Sequence, residues 1–215
     1  MNKLITFEGV EGSGKSTQIR ILWEYLQQCR IPHLLTLEPA GTAIGRKIGD
    51  ILFNRGHDEM YPQTELLLFL AARAQHVREV ILPAFQSGKW VLCDRFSDAT
   101  FAYQQAGRGL PGDFIQTVND YCAKQVRPAL TLLFDLPVEE GLKRAKRRDN
   151  HLADPSVADR FESEKIEFHR RVREKYLSLA QEDAGRFRVI DAFRPIPDIA
   201  VDVRNQVMSF IREHA

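Results

Sequence analysis

The stretch Leu4-Ile5-Thr6-Phe7-Glu8-Gly9-Val10-Glu11-Gly12-Ser13-Gly14-Lys15-Ser16-Thr17 decides how this chain folds. An apolar run typical of a β-strand leads into a glycine-rich turn that fits G-x-x-x-x-G-K-[ST]. Glycines permit the torsions that turn successive N–H groups inward, so the pattern predicts a phosphate-binding loop (P-loop) at the start of the next helix. The alternative is a flexible turn that binds nothing, but the flanking strand and helix favour the loop.

The loop predicts a nucleoside triphosphate and a metal as ligands. Lys15 supplies a positive charge for the β- and γ-phosphates, and the Ser16 hydroxyl is a ligand for Mg²⁺. The residues predicted to hold the nucleotide are Gly9, Val10, Glu11, Gly12, Ser13, Gly14, Lys15, Ser16 and Thr17.

Composition limits the class of protein. The 215 residues suit one α/β domain with a small insert, and no apolar run approaches the ~20 residues of a membrane span. The first residues lack the pattern of a signal peptide, so we expect a cytoplasmic protein. Cys29, Cys93 and Cys122 are an odd count without C-x-x-C spacing, which indicates neither a disulfide framework nor a zinc site. A net charge of +1 makes a nucleic-acid partner unexpected.

Apolar periodicity predicts alternating strands and helices. Beyond the first strand, strands are predicted at 33–37, 90–95, 130–135 and 188–191, and helices at 17–28, 43–53, 63–85, 97–105, 159–181 and 199–211. This order predicts a three-layer α/β fold of the P-loop NTPase type, with a five-stranded, mostly parallel sheet covered by helices on both faces.

Arg73 lies in the first half of the predicted helix 63–85, which is apolar nearly all round and therefore predicted to be buried. No acidic residue lies three or four positions away, so no local ion pair is available. The arginine either pairs across the fold or faces a ligand anion or base, together with Phe69 one turn earlier. The sequence leaves both alternatives open.

Two of the predicted strands, 90–95 and 130–135, carry an aspartate at or next to their end, Asp94 and Asp135. Asp94 occupies the place of a Walker-B-type carboxylate that helps to hold Mg²⁺. Asp135 has the same placement but also precedes a proline and a helix, which favours a capping role. The pattern alone does not decide between them.

A basic run, Lys143-Arg144-Ala145-Lys146-Arg147-Arg148, has five basic residues in six. A solvated helix end is the ordinary interpretation. In a protein that binds phosphates, a mobile basic segment also suits the lid of a phosphoryl-transfer enzyme.

In chain order, these motifs resemble those of the bacterial thymidylate kinases, a family of P-loop nucleoside-monophosphate kinases. The resemblance covers nearly the whole chain as a single domain, 1–215, with a lid at about 143–160. Besides the loop, the motifs that carry it are Glu38-Pro39-Ala40-Gly41-Thr42, Leu68-Phe69-Leu70-Ala71-Ala72-Arg73-Ala74-Gln75-His76, Asp94-Arg95-Phe96, Ala102-Tyr103-Gln104, Gly107-Arg108-Gly109-Leu110 and Asp159-Arg160-Phe161-Glu162.

The resemblance implies transfer of the ATP γ-phosphate to dTMP, giving dTDP and ADP, by a Mg²⁺-dependent homodimer. In the base pocket it implies that Phe69 stacks on thymine and that Arg73 hydrogen-bonds the edge of the base near the phosphate. Thr100 and Gln104 would line the same pocket.

For the sugar and phosphates, the resemblance implies that Arg95 holds the dTMP phosphate and that Glu11 lies at the 3′-hydroxyl. Tyr103 would crowd the 2′ position, so that deoxyribose is preferred. Asp94 would position the Mg²⁺ shell beside Lys15 and Ser16.

The family carries its catalytic arginine either in the loop or in the lid. This loop has none, so the resemblance implies a lid arginine, with Arg147, Arg148 and Arg160 as candidates. Their order of importance stays open.

Two departures from the family pattern concern the acceptor. Gly49 and Leu37 stand where relatives often have arginines. Arg46 or Lys47, on the same predicted helix as Gly49, could substitute for the arginine missing there.

Two other functions stay open. One is a kinase for another pyrimidine monophosphate, such as dUMP. The other is a P-loop regulator that binds ATP and has no acceptor pocket, against which Phe69, Arg73, Arg95 and Tyr103 argue.

Overall fold

The computed structural model describes residues 3–149 and 160–214, and for residues 148 and 149 it describes the backbone alone. One sheet has five strands in the order β2-β3-β1-β4-β5, all parallel. The strands are β1 (Leu4–Glu8), β2 (His33–Leu37), β3 (Trp90–Asp94), β4 (Leu130–Asp135) and β5 (Phe187–Asp191). The predicted five-stranded sheet is confirmed, and β1, which leads into the glycine-rich loop, is its central strand.

Helices cover both faces of the sheet. They are α1 (Lys15–Gln28), α2 (Ala43–Phe53), α3 (Pro62–His76), α4 (Leu82–Gln86), α5 (Ser97–Thr100), α6 (Gly112–Ala123), α7 (Val138–Asp149), α8 (Ile166–Glu182) and α9 (Ile196–Glu213). Alternate residues of β1 enter different hydrophobic clusters: Ile5 packs with Ile19 of α1, whereas Leu4 packs with Ile81. None of the helices within the described ranges is long and apolar enough to cross a membrane.

Two predicted helices contain π-helical turns. Val77–Ile81 connects α3 to α4, and Phe101–Gly107 continues α5. The predicted helix 63–85 is therefore one helical run with a wider turn in its middle. Its first half is not buried all round, because Leu67 is 54% exposed.

The predicted helix at 159–181 is wrong in its first part. Arg160–Ser163 forms a short 3₁₀ helix, and α8 starts only at Ile166, because Lys165 has an extended backbone with ψ of 151°. Asp159 and the rest of 150–159 lie outside the described residues. The two segments still share one core, since Phe161 and Phe168 are both buried in it.

The parallel arrangement places all strand ends on one edge of the sheet. Glu8, Leu37 and Asp94 end three adjacent strands, and the glycine-rich loop follows Glu8 directly. Ligands of open parallel α/β sheets bind at this edge. The candidate site is built there.

Candidate nucleotide-binding site

The glycine-rich loop has the conformation that its glycines permit. Gly12 has φ of +67°, and a Cβ there would lie 2.1 Å from the carbonyl oxygen of Gly141 in α7. Gly14, with φ of +89°, is the N-cap residue of α1. It has no side chain to cap the helix, so the first N–H groups of α1 are available to an anion.

Lys15 points back into the loop. Its Nζ donates to the carbonyl oxygens of Gly9 and Val10 at 2.9 and 3.0 Å and to Ser13 Oγ at 3.2 Å. Burial, with the nearby charge of Arg95, lowers the pKa of Lys15 from 10.5 to about 8. A phosphate group bound in the loop would stabilise the protonated lysine.

Asp94, rather than Asp135, is the strand-end carboxylate beside the loop. Ser16 Oγ donates to Asp94 Oδ2 at 3.1 Å. Asp135 instead accepts two hydrogen bonds from Arg173, at 2.7 and 2.9 Å. The geometry favours Asp94 as the metal-associated acid, and it shows that Asp135 forms an ion pair with Arg173 of α8.

Two adjoining cavities lie at this edge of the sheet. The loop cavity is lined by residues 11–17, residues 37–40, Asp94 and Arg144, among others. The inner cavity is aromatic on one side and polar on the other, and its lining includes Phe53, Phe69, Arg73, Thr100, Tyr103, Gln104 and Phe161. Glu11, Glu38, Phe53 and Arg95 line both. A ligand in the inner cavity would therefore approach a ligand of the loop at Glu11 and Arg95.

Glu11 is a buried, ionised carboxylate between the cavities. Its Oε1 accepts from Tyr103 Oη at 2.5 Å and from Arg95 Nη2 at 3.3 Å, and its Oε2 accepts from His169 Nδ1 at 3.2 Å. Burial alone would raise the pKa of Glu11, but the hydrogen bond from His169, the charge of Arg95 and the hydroxyl of Tyr103 lower it to about 2. The group is thus a permanent hydrogen-bond acceptor.

Arg95 follows β3 in a strained backbone conformation, with φ of +64°. Its backbone N–H donates to the Phe7 carbonyl oxygen at 3.1 Å, which continues the sheet pairing through the turn. The guanidinium lies over the Tyr103 ring, 4.8 Å from its centroid, and donates to Tyr176 Oη at 3.2 Å. Backbone strain of this kind is found where a side chain must be aimed at a site.

Arg73 forms the cross-fold pair that the sequence left as one of two alternatives. It is 2% exposed, and its nearest guanidinium nitrogen lies 2.7 Å from Glu38 Oε2. It also donates to Thr100 Oγ1, Asn119 Oδ1 and the Phe96 carbonyl oxygen at 2.7–3.0 Å. All three of its nitrogens are engaged with protein, although the residue lines the inner cavity.

Glu65 organises the far side of the inner cavity. It is fully buried and accepts from Gln104 Nε2 at 2.9 Å, Arg108 Nε at 3.1 Å and Arg160 Nη2 at 2.5 Å. Because Gln104 donates its amide N–H to Glu65, the amide oxygen of Gln104 is directed elsewhere. Arg160 also donates to the Leu52 carbonyl oxygen and lines neither cavity.

The basic segment approaches the loop through α7. A Cβ on Gly141 would lie 2.4 Å from the Glu11 carbonyl oxygen, so only glycine allows this contact. Arg144 lies three residues later and lines the loop cavity. Arg147 is exposed and lines neither cavity, and the Arg148 side chain lies outside the described residues. The sequence did not single out Arg144, because only its position relative to Gly141 distinguishes it from its basic neighbours.

The two departures from the family pattern are visible at the site. Arg46 and Lys47 are exposed and line neither cavity. Gly49 is buried, and a Cβ there would lie 3.5 Å from Pro39 and 3.7 Å from Phe53, in ordinary contact. The substitution of Arg46 or Lys47 for an arginine at position 49 stays a prediction.

Known proteins match this chain over nearly its whole length. The family model described as Thymidylate kinase matches residues 7–203. The chain is 49% identical over 203 residues to the thymidylate kinase of Syntrophus aciditrophicus, covering 94% of this chain and 93% of that protein. It is 48% identical over 208 residues to that of Pelobacter propionicus, covering 97% and 94%. With the thymidylate kinase of Desulfovibrio desulfuricans it shares 45% identity over 208 residues, covering 97% and 96%.

Proposed function

This chain belongs to the thymidylate kinase family, and from that premise we infer that it transfers the γ-phosphate of ATP to dTMP, giving dTDP and ADP. The observation that carries the inference is the junction of the two cavities at Glu11 and Arg95. A triphosphate in the loop cavity and a nucleoside monophosphate in the inner cavity would bring donor and acceptor phosphates together there. Phosphoryl transfer depends chiefly on such positioning and on charge stabilisation.

On the donor side, the loop N–H groups and Lys15 bind the phosphates of ATP. Ser16 and Asp94 fit Mg²⁺, because they offer two oxygen ligands 3.1 Å apart beside the loop. Magnesium commonly binds through one or two such protein ligands together with substrate phosphates. When bound, the ion neutralises charge on the phosphates, while Asp94 and Ser16 fix its place.

On the acceptor side, the inner cavity fits a thymine base. Phe69 offers a ring for stacking, since it lies among the rings of Phe53 and Phe161 at centroid distances of 6.3 and 6.1 Å. Gln104 presents its amide oxygen, which accepts a hydrogen bond from the N3–H of thymine. Cytosine has an acceptor at N3 and would leave this buried amide unsatisfied. The base selection therefore follows from the orientation that Glu65 imposes on Gln104.

The sugar and phosphate lie at the junction of the cavities. Glu11 accepts from the 3′-hydroxyl, and Arg95 binds the acceptor phosphate. Tyr103 occupies the space of a 2′-hydroxyl, held in place by its hydrogen bond to Glu11. Arg73 supports the pocket through Glu38 and Thr100, because its hydrogen bonds leave little capacity for the base.

An arginine of the basic segment would stabilise the charge that develops on the transferred phosphoryl group. Arg144 lines the loop cavity, and Arg147 and Arg148 follow it on α7. Arg160 instead anchors the end of the lid segment to Glu65.

The test is a coupled assay of ADP formation with ATP and Mg²⁺ against dTMP, dUMP and dCMP. We expect dTMP to be the best acceptor and dCMP the worst, and we expect folded Lys15→Ala to be inactive. A preference for dUMP would favour the alternative of a kinase for another pyrimidine monophosphate. If no mononucleotide accelerates ADP formation, the protein is an ATP-binding regulator instead.

We also propose a homodimer in the cytoplasm. Large apolar side chains are exposed on α3 and α6, which pack together: Leu67 is 54%, Phe114 52% and Tyr121 83% exposed. Pairing of this face with a second copy would bury them. Sedimentation should give a dimer for the parent chain and a monomer for Leu67→Glu. A monomeric parent would contradict the proposal.

A further inference from the structure

His169 of α8 is a buried polar residue that contacts the site from behind. It is fully buried, and its Nδ1 lies 3.2 Å from Glu11 Oε2. Its Nε2 is also buried and has no hydrogen-bond partner among the described residues. Its ring meets the Phe168 ring edge-on, with centroids 5.4 Å apart and an interplanar angle of 88°. In this packing Nδ1 of the imidazole is directed at Glu11.

The environment of the ring determines its tautomer. The ionised Glu11 carboxylate can only accept, so the proton is on Nδ1. The Nδ1–H of His169 is therefore the donor to Glu11, while Nε2 has no hydrogen-bond partner among the described residues.

We propose that His169 is a positioning residue, which holds the Glu11 carboxylate in the orientation that accepts the 3′-hydroxyl of the acceptor nucleotide. Its hydrogen bond to Oε2 fixes the carboxylate plane while Tyr103 and Arg95 bind Oε1. Each carboxylate oxygen accepts about two hydrogen bonds, so Oε2 keeps one place for the hydroxyl.

Without the donor on Oε2, the carboxylate is free to turn both oxygens toward Arg95. Arginine and carboxylate favour this two-point arrangement. The 3′-hydroxyl would then compete with a guanidinium for the same oxygen. The proposal rests on the assignment of Glu11 to the 3′-hydroxyl under the proposed function, and its test separates the two.

Three substitutions at His169 distinguish the donor from the ring. His169→Asn places an amide N–H near the position of Nδ1, His169→Gln places it near Nε2, and His169→Phe keeps the ring without a donor. We expect KM for dTMP to rise about tenfold for Phe and Gln, the loss of one hydrogen bond to a charged group. Asn should stay within about threefold of the parent, and KM for ATP should not change.

The decisive comparison uses 3′-deoxy-dTMP, which lacks the hydroxyl. With this acceptor the Phe and Gln variants should match the parent. The ratio of the KM values for the two acceptors is measured on one preparation, so it does not depend on the fraction of the protein that is folded. The proposal would be overturned if KM rose equally for both acceptors, or if the Asn variant had as high a KM for dTMP as the Phe variant. Either result would show that His169 acts only in packing.

Glu11→Gln, assayed in parallel, tests the premise. If the substitution raises KM for dTMP and leaves KM for 3′-deoxy-dTMP unchanged, the role of Glu11 holds and the His169 variants decide the inference. If it leaves KM for dTMP unchanged, the assignment of Glu11 fails and the inference fails with it. ADP formation with dTMP would still report the reaction itself.

Discussion

Lys15 should make ATP binding sensitive to pH above about pH 8. Burial and the charge of Arg95 lower its pKa to about 8 in the free protein. The protonated form binds phosphate, so the dissociation constant for ATP should be constant below pH 8. Above pH 8 it should rise up to tenfold per pH unit, or about 1.4 kcal/mol at pH 9. The terminal phosphate of ATP is already ionised in this range, so the titration belongs to the protein.

The assay is calorimetric titration with ATP and Mg²⁺ at pH 7, 8, 8.5 and 9. Glu8 titrates in the same window, because burial and the charge of Asp98 raise its pKa to about 8. Glu8→Gln removes this second titration and keeps an oxygen for the Phe96 N–H, which Glu8 accepts at 2.7 Å. Lys15→Met gives the dissociation constant for ATP in the absence of the lysine side chain. A dissociation constant that stays flat to pH 9 in Glu8→Gln, while Lys15→Met binds weakly, would refute the lowered pKa.

The same titration has a consequence for stability. Between pH 8 and 10.5 the unfolded chain binds more protons at this lysine than the native protein does, so its contribution to the free energy of unfolding rises with pH. The difference between the two pKa values corresponds to about 3 kcal/mol, lost below pH 8 and recovered above 10.5. Urea unfolding of the parent and Lys15→Met across this range measures it. Parallel curves for the two proteins would contradict the assignment.

Three further outcomes are expected. Arg144→Ala or Arg148→Ala should lower kcat at saturating dTMP by about 10³-fold or more, with little change in KM for ATP. Arg147 is exposed, so kcat of Arg147→Ala should stay within a few-fold of the parent value. Equally small losses of kcat for all three variants would place the catalytic charge outside this segment. Glu38→Gln should lower the free energy of unfolding in urea by about 3–5 kcal/mol, because the substitution leaves the buried guanidinium of Arg73 without its counter-charge. A loss below about 1 kcal/mol would mean that another carboxylate replaces Glu38. Tyr103→Ala should admit the ribonucleotide TMP in the acceptor assay, while Tyr103→Phe keeps the ring; unchanged discrimination in the Ala variant would show that the ring is not the gate.

The parts of the fold that local patterns determine were predictable. The five strands follow from short apolar runs, and their parallel order follows from the helices between them. The break at Lys165 was not predictable, because neither proline nor glycine marks it and Phe161 and Phe168 keep helical spacing across it. Arg160 is bound to Glu65, and this contact across 95 residues accompanies the 3₁₀ turn rather than a continuous helix.

The candidate site likewise has a part that the sequence predicts and a part that it does not. The loop and its Lys15 and Ser16 follow from one motif, because the residues of that motif are contiguous in the sequence. The partners of Arg73 and Glu11 do not, since Glu38 is 35 residues from Arg73 and His169 is 158 residues from Glu11. No spacing in the sequence encodes such pairs. This is why the sequence left the role of Arg73 open and gave no signal for His169.

The two arginines of the inner cavity differ in what it costs to move them to a phosphate. Arg73 is 2% exposed, and its ion pair with Glu38 has a closest approach of 2.7 Å, with three further hydrogen bonds. Arg95 has a side chain that is 24% exposed, and its contact with Glu11 is longer, at 3.3 Å. A phosphate that recruited Arg73 would leave a buried Glu38 uncompensated, whereas Glu11 keeps its hydrogen bonds to Tyr103 and His169 when Arg95 turns away. We therefore expect an acceptor phosphate to engage Arg95 rather than Arg73.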